Sequence, residues 1–208
     1  MRYKPYMNVA NGLWALDKGD GMTELNLLDA LVARLTELFR GYELPAKSGL
    51  LQNVKVLAQN LPKPSAVSVK SDTEDESYSE AIEPQGYTVT DIESIFPCVV
   101  VRLGETVDNE EGSADQSRII VQFSVGVYDS REDARDCQGY RDVLNIIEVI
   151  RQDLLSMPAR ILEKRYRLEM PFRSGLVDDD VYPLYFGYID TVWETGRPMM
   201  PLHMRGRL

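Results

Sequence analysis

The chain has 208 residues, 44% of them hydrophobic, and its 33 acidic residues outnumber its 23 basic ones to give a formal net charge of −10. This length fits one domain, since domains usually take about 100–200 residues. The acidic balance disfavours general affinity for phosphate backbones, which requires clustered positive charge. We therefore expect a single domain, residues 1–208, that binds no nucleic acid sequence-specifically.

The N-terminal residues predict neither a signal peptide nor a membrane anchor. Charged and polar residues interrupt Met1–Gly21 before an apolar core can form, and no apolar run approaches the ~18–20 residues that cross a bilayer. Cys98 and Cys137 lack the spacing of a disulfide framework, which favours reduced thiols in a cytoplasm. Residues 1–22 carry Tyr3, Tyr6, Leu13 and Trp14 in no clear period and predict an arm that packs on another surface, such as a second subunit.

The first regular element is an amphipathic helix. Thr23 is a suitable N-terminal cap and Gly41 a suitable stop. Between them one face carries apolar residues at helical spacing: Leu25, Leu28, Leu31, Val32, Leu35, Leu38 and Phe39. A short strand is expected within Val54–Leu61, before Pro62 and Pro64.

Residues 65–90 form an acidic insertion in the pattern of the chain. Within Ser65–Gly86, Lys70 stands alone against Asp72, Glu74, Asp75, Glu76, Glu80 and Glu83. A segment of this composition buries too little apolar surface to order itself. We expect a mobile loop or hairpin that projects from the domain.

The second half of the chain predicts strands around one long helix. Apolar residues lead from Asp91 into a strand that ends near Leu103, and the polar stretch Glu105–Gln116 links it to the alternating strand Ser117–Tyr128 as an antiparallel hairpin. A helix follows from near Asp133 to Met157, because Pro158 cannot continue it. Two further strands are expected, at Tyr166–Arg173 and Leu184–Trp193, before a loosely attached tail, residues 195–208.

These elements predict an α+β fold. Consecutive strands joined by turns give a mainly antiparallel sheet of about four to five strands, and the two amphipathic helices should pack on one of its faces.

The sequence offers few groups for catalysis or metal binding. His203, the sole histidine, lies in the C-terminal tail, away from any partner that could orient it as a base. The run Asp178–Asp180 could hold a divalent cation, but without EF-hand spacing we interpret it as a solvated loop. Gly19-Asp20-Gly21 lacks the spacing of a phosphate-binding loop. We therefore predict no enzyme, no cofactor and no catalytic, cofactor-binding or metal-binding residue.

Two further clusters have structural interpretations. The basic neighbourhood of Arg160, Lys164, Arg165, Arg167 and Arg173 could contact a nucleic-acid backbone, but arginines that alternate along an exposed strand usually meet carboxylates. The aromatic side chains of the last strand could stack on bases, although such residues are more often core or interface: Tyr182, Tyr185, Tyr188 and Trp193.

Taken together, the elements resemble the tail-terminator or tail-completion proteins of long-tailed bacteriophages. The residues that carry the resemblance are the leading helix, Phe96–Arg102, Ile119–Tyr128, Tyr140–Arg151 and Tyr182–Ile189. They are patterns of packing and turn residues and include no catalytic signature. The acidic insertion and the N-terminal arm look like additions to this pattern.

The resemblance implies a structural function. Such proteins assemble as a ring, commonly a hexamer, that caps the tail tube, ends its polymerisation and presents a surface to the head–tail connector. It also implies a virion protein of the tail, phage- or prophage-encoded and assembled in the bacterial cytoplasm, without membrane contact. The alternatives are another head–tail neck protein or a small-ligand or metal-binding enzyme domain that works through Asp178, Asp179 and Asp180.

Overall fold

The structure is a computed structural model that describes residues 24–45, 51–63, 89–108, 116–129, 138–177 and 182–196. Several sequence predictions fall outside these ranges: the arm at 1–22, most of the acidic insertion, Cys137, Asp178–Asp180, and His203 with the tail from residue 197. Thr23 and Gly19-Asp20-Gly21 also lie outside the described residues.

A six-stranded sheet forms the centre of the fold. Its strands lie in the order β3-β4-β5-β8-β7-β6, and every neighbouring pair is antiparallel except β3 and β4, which are parallel. The bounds are β3 Lys55–Ala58, β4 Cys98–Asp108, β5 Gln116–Tyr128, β6 Ile161–Leu162, β7 Tyr166–Leu176 and β8 Leu184–Gly196. A separate antiparallel pair consists of β1 Glu43–Pro45 and β2 Leu51–Asn53.

Within the described ranges, three α-helices pack on this sheet, and two of them share the main core. Helix α1 spans Glu24–Leu38 and contacts β3 and β4, whereas α3, Gln138–Ser156, contacts β5, β7 and β8. Alternate residues of β5 face them, with Val121, Phe123 and Val125 fully buried. Because strand side chains alternate between faces, the same strands present a second, more polar set on the other side. Helix α2, Val89–Ile95, packs on that second side, where Ile95 joins a smaller apolar cluster.

The α+β class and the mostly antiparallel sheet are confirmed, while the element counts differ from the prediction. The sheet has six strands, and a third helix, α2, packs on the face opposite to α1 and α3. Strand β3 runs parallel to β4, since the long connection between them lets the chain return to the same end of the sheet.

Several boundaries also differ from the expected ones. The strands extend into the expected polar turn, because β4 continues to Asp108 and β5 starts at Gln116. Val89 and Thr90 belong to α2, and Thr195 and Gly196 belong to β8. Among the described helices, none combines the length and the apolar character that a membrane span requires.

Candidate functional site

The candidate site is the face of the six-stranded sheet that is turned away from α1 and α3, here called the open face. Within the described ranges, α2 is the helix that packs on it, and only at one end. The strand registers fix which residues share this face, because residues directly opposite each other in a ladder point the same way. Cys98, Gly126 and Phe186 form one row across β4, β5 and β8, and Val100, Ser124 and Tyr188 form the next.

The end of the open face next to α2 is apolar. Ile95, Phe96, Cys98 and Val100 are buried there, and the Phe96 ring meets the Phe186 ring edge-on with 6.0 Å between centroids. Gly126 permits this packing, since a Cβ at that position would overlap Phe96 Cε1 and lie 2.9 Å from its Cδ1. A side chain at 126 would therefore displace Phe96, and the glycine matters here for space.

An apolar groove, defined by the residues around a cavity of about 350 Å³, lies beside this cluster. Its apolar lining includes Leu61, Phe96, Val100 and Phe186, and its polar groups are Arg102, Gln122, Ser124 and Tyr188. Concave, mostly apolar sites with a few polar groups accept small ligands or the side chains of a partner. The groove is therefore a place on the open face where a protruding apolar group would be buried.

Beyond the groove, the exposed side chains of β5, β7 and β8 on the open face are mostly charged. Gln122 donates a hydrogen bond of 3.0 Å to Asp190, and Arg118 and Arg167 lie 3.2 and 3.7 Å from Glu169 and Glu194. Both arginines meet carboxylates of other strands, and Arg167 does so as predicted for the basic neighbourhood. Between the charged rows, the apolar side chain of Ile120 remains 38% exposed. The open face thus combines a groove, an exposed isoleucine and cross-strand ion pairs.

The strands of the open face carry more cations than carboxylates, in a chain that is acidic as a whole. By register, the cationic strand residues are Lys55, Arg102, Arg118, Arg167 and Arg173, and the strand carboxylates are Glu169, Asp190 and Glu194. Helix α2 adds Asp91 and Glu93 at one end of this face, so the cationic excess is confined to the strands. Surfaces of this kind favour partners with the opposite charge.

Cys98, on the floor of the groove, is not a nucleophile at neutral pH. Burial raises the pKa of its thiol from an ordinary value of 9.0 to about 12, although the nearby ammonium of Lys55 acts in the opposite direction. The reactive form of cysteine is the thiolate, which this site disfavours. Cys98 therefore serves as a small packing residue, as its position in an apolar strand predicts.

The described residues contain no cluster of three or more His, Cys, Asp or Glu side chains that could hold a metal ion.

The aromatic residues of β8 have separate roles. Trp193 is fully buried and donates a hydrogen bond of 3.0 Å to Thr191, and Tyr185 packs edge-on against Tyr140 with 4.6 Å between centroids. Tyr188 lines the groove, while Tyr182, which precedes β8, is 57% exposed.

Sequence reasoning missed the groove itself. Its lining comes from β4, β5 and β8 and from Leu61 after β3, Phe96 after α2 and Val177 after β7, and only the tertiary fold brings these together. Two signals were available: Gly126 interrupts an otherwise bulky strand, and Phe186 and Tyr188 alternate on the side of β8 that Ile189 and Trp193 leave free.

Comparison with protein-family models and with the sequences of curated proteins gives no match. The function is therefore inferred from the surface and from the order of the elements.

Proposed function

We propose that the protein is a structural virion assembly protein of a long-tailed bacteriophage or prophage. In this proposal it caps the tail tube as an oligomeric ring, ends tube polymerisation and offers the head–tail connector a surface for joining. Its partners are copies of itself, the tail tube protein and the connector protein. Its location is the tail of the virion, after assembly in the host cytoplasm.

The open face is the observation that carries this proposal. One side of the sheet is sealed by α1 and α3, whereas the other keeps an apolar groove and exposed Ile120 among charged rows. An apolar centre with a polar rim is the usual anatomy of a protein interface. A ring subunit needs two different, complementary surfaces, and the two sides of this sheet differ in shape and in charge.

The element order supports the same function. The helix that leads the described chain, the long hairpin β4–β5, the helix α3 and the strands β7 and β8 follow one another as in the resemblance to tail terminators. The described residues that face the groove include a protonated thiol, hydroxyls and an amide, which suit binding better than bond-making.

The test is a tube-capping assay. Purified protein is mixed with polymerising tail tube protein, and electron microscopy gives the tube lengths and the density at tube ends. We expect shorter tubes that carry a ring at one end, in proportion to the amount of added protein. Tubes of unchanged length with bare ends would contradict the proposal. A genomic position between capsid and tail-tube genes would separate a tail terminator from a neck protein that caps no tube.

The groove also favours a second candidate, a domain that binds a small ligand. Its volume of about 350 Å³ lies within the range of small-molecule sites. A ligand that binds only the native protein raises its stability by ~2.7 kcal/mol at a hundredfold excess over its dissociation constant. Thermal-shift measurements with nucleotides and divalent cations test this candidate, and a flat response across the panel would eliminate those ligand classes.

A further inference from the structure

The outer side of α1 presents an apolar side chain between carboxylates. Leu25 is 61% exposed, the largest exposed fraction among the large hydrophobic residues described. Glu24 and Asp29 are also exposed, and neither takes part in an ion pair within the described structure. An exposed leucine flanked by carboxylates that have no ion-pair partner is the kind of surface through which a helix can dock on another protein.

The groove on the open face has the opposite character. Its floor is apolar, and the charged residue in its lining is Arg102, whose guanidinium donates to the carbonyl of Gln59 at 3.2 Å. Lys55 stands beside Cys98 in the register between β3 and β4. Neither Arg102 nor Lys55 has a carboxylate partner in the described part of the chain. The groove is therefore an apolar socket with a cationic rim.

We propose that the N-terminal half of α1 of one copy docks into the groove of the next copy. Leu25 enters the apolar socket, and Glu24 and Asp29 face the cationic rim formed by Arg102 and Lys55. This inference rests on the proposed ring function, and it specifies the two surfaces through which the ring closes.

The topology requires that this contact join two copies. Leu27, Leu28, Leu31 and Leu35 anchor α1 in the core on the helical face of the sheet. The groove lies on the opposite face of the same sheet, so α1 cannot reach the groove of its own chain. A contact between two different surfaces of identical subunits is heterologous, which is the kind that forms closed rings.

Charge supports the choice of a second copy as the occupant. The whole chain carries −10, whereas the strands that carry the groove have more cationic side chains than carboxylates. Two copies that met open face to open face would place like charges together, which is unfavourable. The pairing of α1 with the groove brings opposite charges together around an apolar centre.

Site-specific cross-linking tests the contact. In a Cys137→Ser background, chains carrying Leu25→Cys are mixed with chains carrying Ser124→Cys, with and without tail tube protein, and a short bis-maleimide is added. Ser124 lines the groove, and both positions are accessible enough to tolerate cysteine. We expect a cross-linked pair that forms only when the two variants are mixed. Cross-links within the Leu25→Cys chains alone, or none at any concentration, would overturn the inference.

Charge reversal gives a second, independent test. Arg102→Glu should reduce the cross-linked fraction at least about tenfold, because it places a carboxylate opposite Glu24 and Asp29. Asp29→Arg in the partner chain should restore much of the yield. Lys164→Glu reverses one charge in the exposed turn after β6 and serves as the control without effect. Equal loss in Arg102→Glu and Lys164→Glu would overturn the specific pairing.

The two proposals fail differently. Tubes that are capped normally, without cross-links between positions 25 and 124, would keep the tail function and remove the α1–groove contact. Cross-links without any effect on tubes would keep the contact and remove the tail function.

Discussion

The guanidinium of Arg34 on α1 forms two hydrogen bonds with the carboxylate of Asp153 on α3, Nε to Oδ2 at 2.6 Å and Nη2 to Oδ1 at 2.9 Å. The two residues are 119 positions apart in the sequence, so this pair fixes the separation of the two helices that seal one side of the sheet. Its side chains are 34% and 18% exposed, which leaves the pair partly shielded from water.

The first prediction concerns this ion pair. Arg34→Gln should lower the free energy of unfolding by about 1 kcal/mol, since a bidentate pair is stronger than an ordinary surface pair. Arg151→Gln removes the more exposed pair with Glu148 on α3 and should cost less than about 0.5 kcal/mol. Urea denaturation of both variants gives the comparison. Equal losses of unfolding free energy would mean that the Arg34–Asp153 pair stabilises the protein no more than the exposed Arg151–Glu148 pair does.

The second prediction concerns the packing beneath the groove. Gly126→Ala should destabilise the protein by about 1–3 kcal/mol, because its Cβ would overlap the ring of Phe96 in a well-packed cluster. Gly104→Ala is the matched control in the neighbouring strand, where the nearest atom is the partly exposed Ile120 Cγ2 at 3.3 Å. Thermal denaturation should separate the two variants. A Gly126→Ala protein as stable as the control would contradict the tight contact with Phe96.

The third prediction concerns a buried polar chain in the main core. Trp193 Nε1 donates to Thr191 Oγ1 at 3.0 Å, and Thr191 Oγ1 donates to the carbonyl of Val121 at 2.9 Å. Thr191→Val leaves the indole N–H without this partner, and we expect a loss of about 1–3 kcal/mol. Thr191→Ser keeps the hydroxyl and should lose less than Thr191→Val. If the valine variant proves the more stable of the two in guanidinium unfolding, the hydroxyl is dispensable.

The fourth prediction is the pH dependence that Cys98 imposes. Burial raises the pKa of its thiol from 9.0 to about 12, so the unfolded chain releases this proton before the folded one. The stabilisation that comes from this pKa difference is fully present below pH 9. It decreases as the pH rises toward 12, and the free energy of unfolding then falls by on the order of 1.4 kcal/mol per pH unit for one proton. The pKa values of Tyr42 and Tyr166 are also raised by burial, so they add to the alkaline loss.

Cys98→Ala tests this account without removing the tyrosines. The variant should be less stable at neutral pH because of the lost packing, but its stability should fall less steeply above pH 9 than that of the parent chain. Free energies of unfolding measured at several pH values from 8 to 11 give both slopes. Parallel curves would show that Cys98 ionises as readily in the folded as in the unfolded chain.

The sequence predicted the elements whose apolar pattern is set by one buried face. The alternation of Ile119, Val121 and Phe123 defines β5, and helical spacing together with Pro158 locates the end of α3 within a residue or two. Local periodicity is enough in these cases, because each element buries a single stripe against the same core.

The remaining features depend on contacts between distant residues. Strand β3 has only four residues, and its parallel pairing with β4 is set by a register that no local pattern contains. Helix α2 has seven residues, and the sequence predicts only an apolar lead from Asp91 into a strand there, so the cluster that Ile95 forms with Phe96 was missed. The groove depends on both features, because its lining includes Phe96, directly after α2, and Leu61, three residues after β3.

The central claim is that copies of this chain close into a ring on the tail tube, and native mass measurement with and without tail tube protein tests it most directly. We predict one discrete oligomer, with a hexamer as the expected size, that forms or becomes stabilised when tube protein is present. A monomer that stays monomeric beside growing tubes, or an open-ended ladder of masses without a preferred size, would contradict the claim.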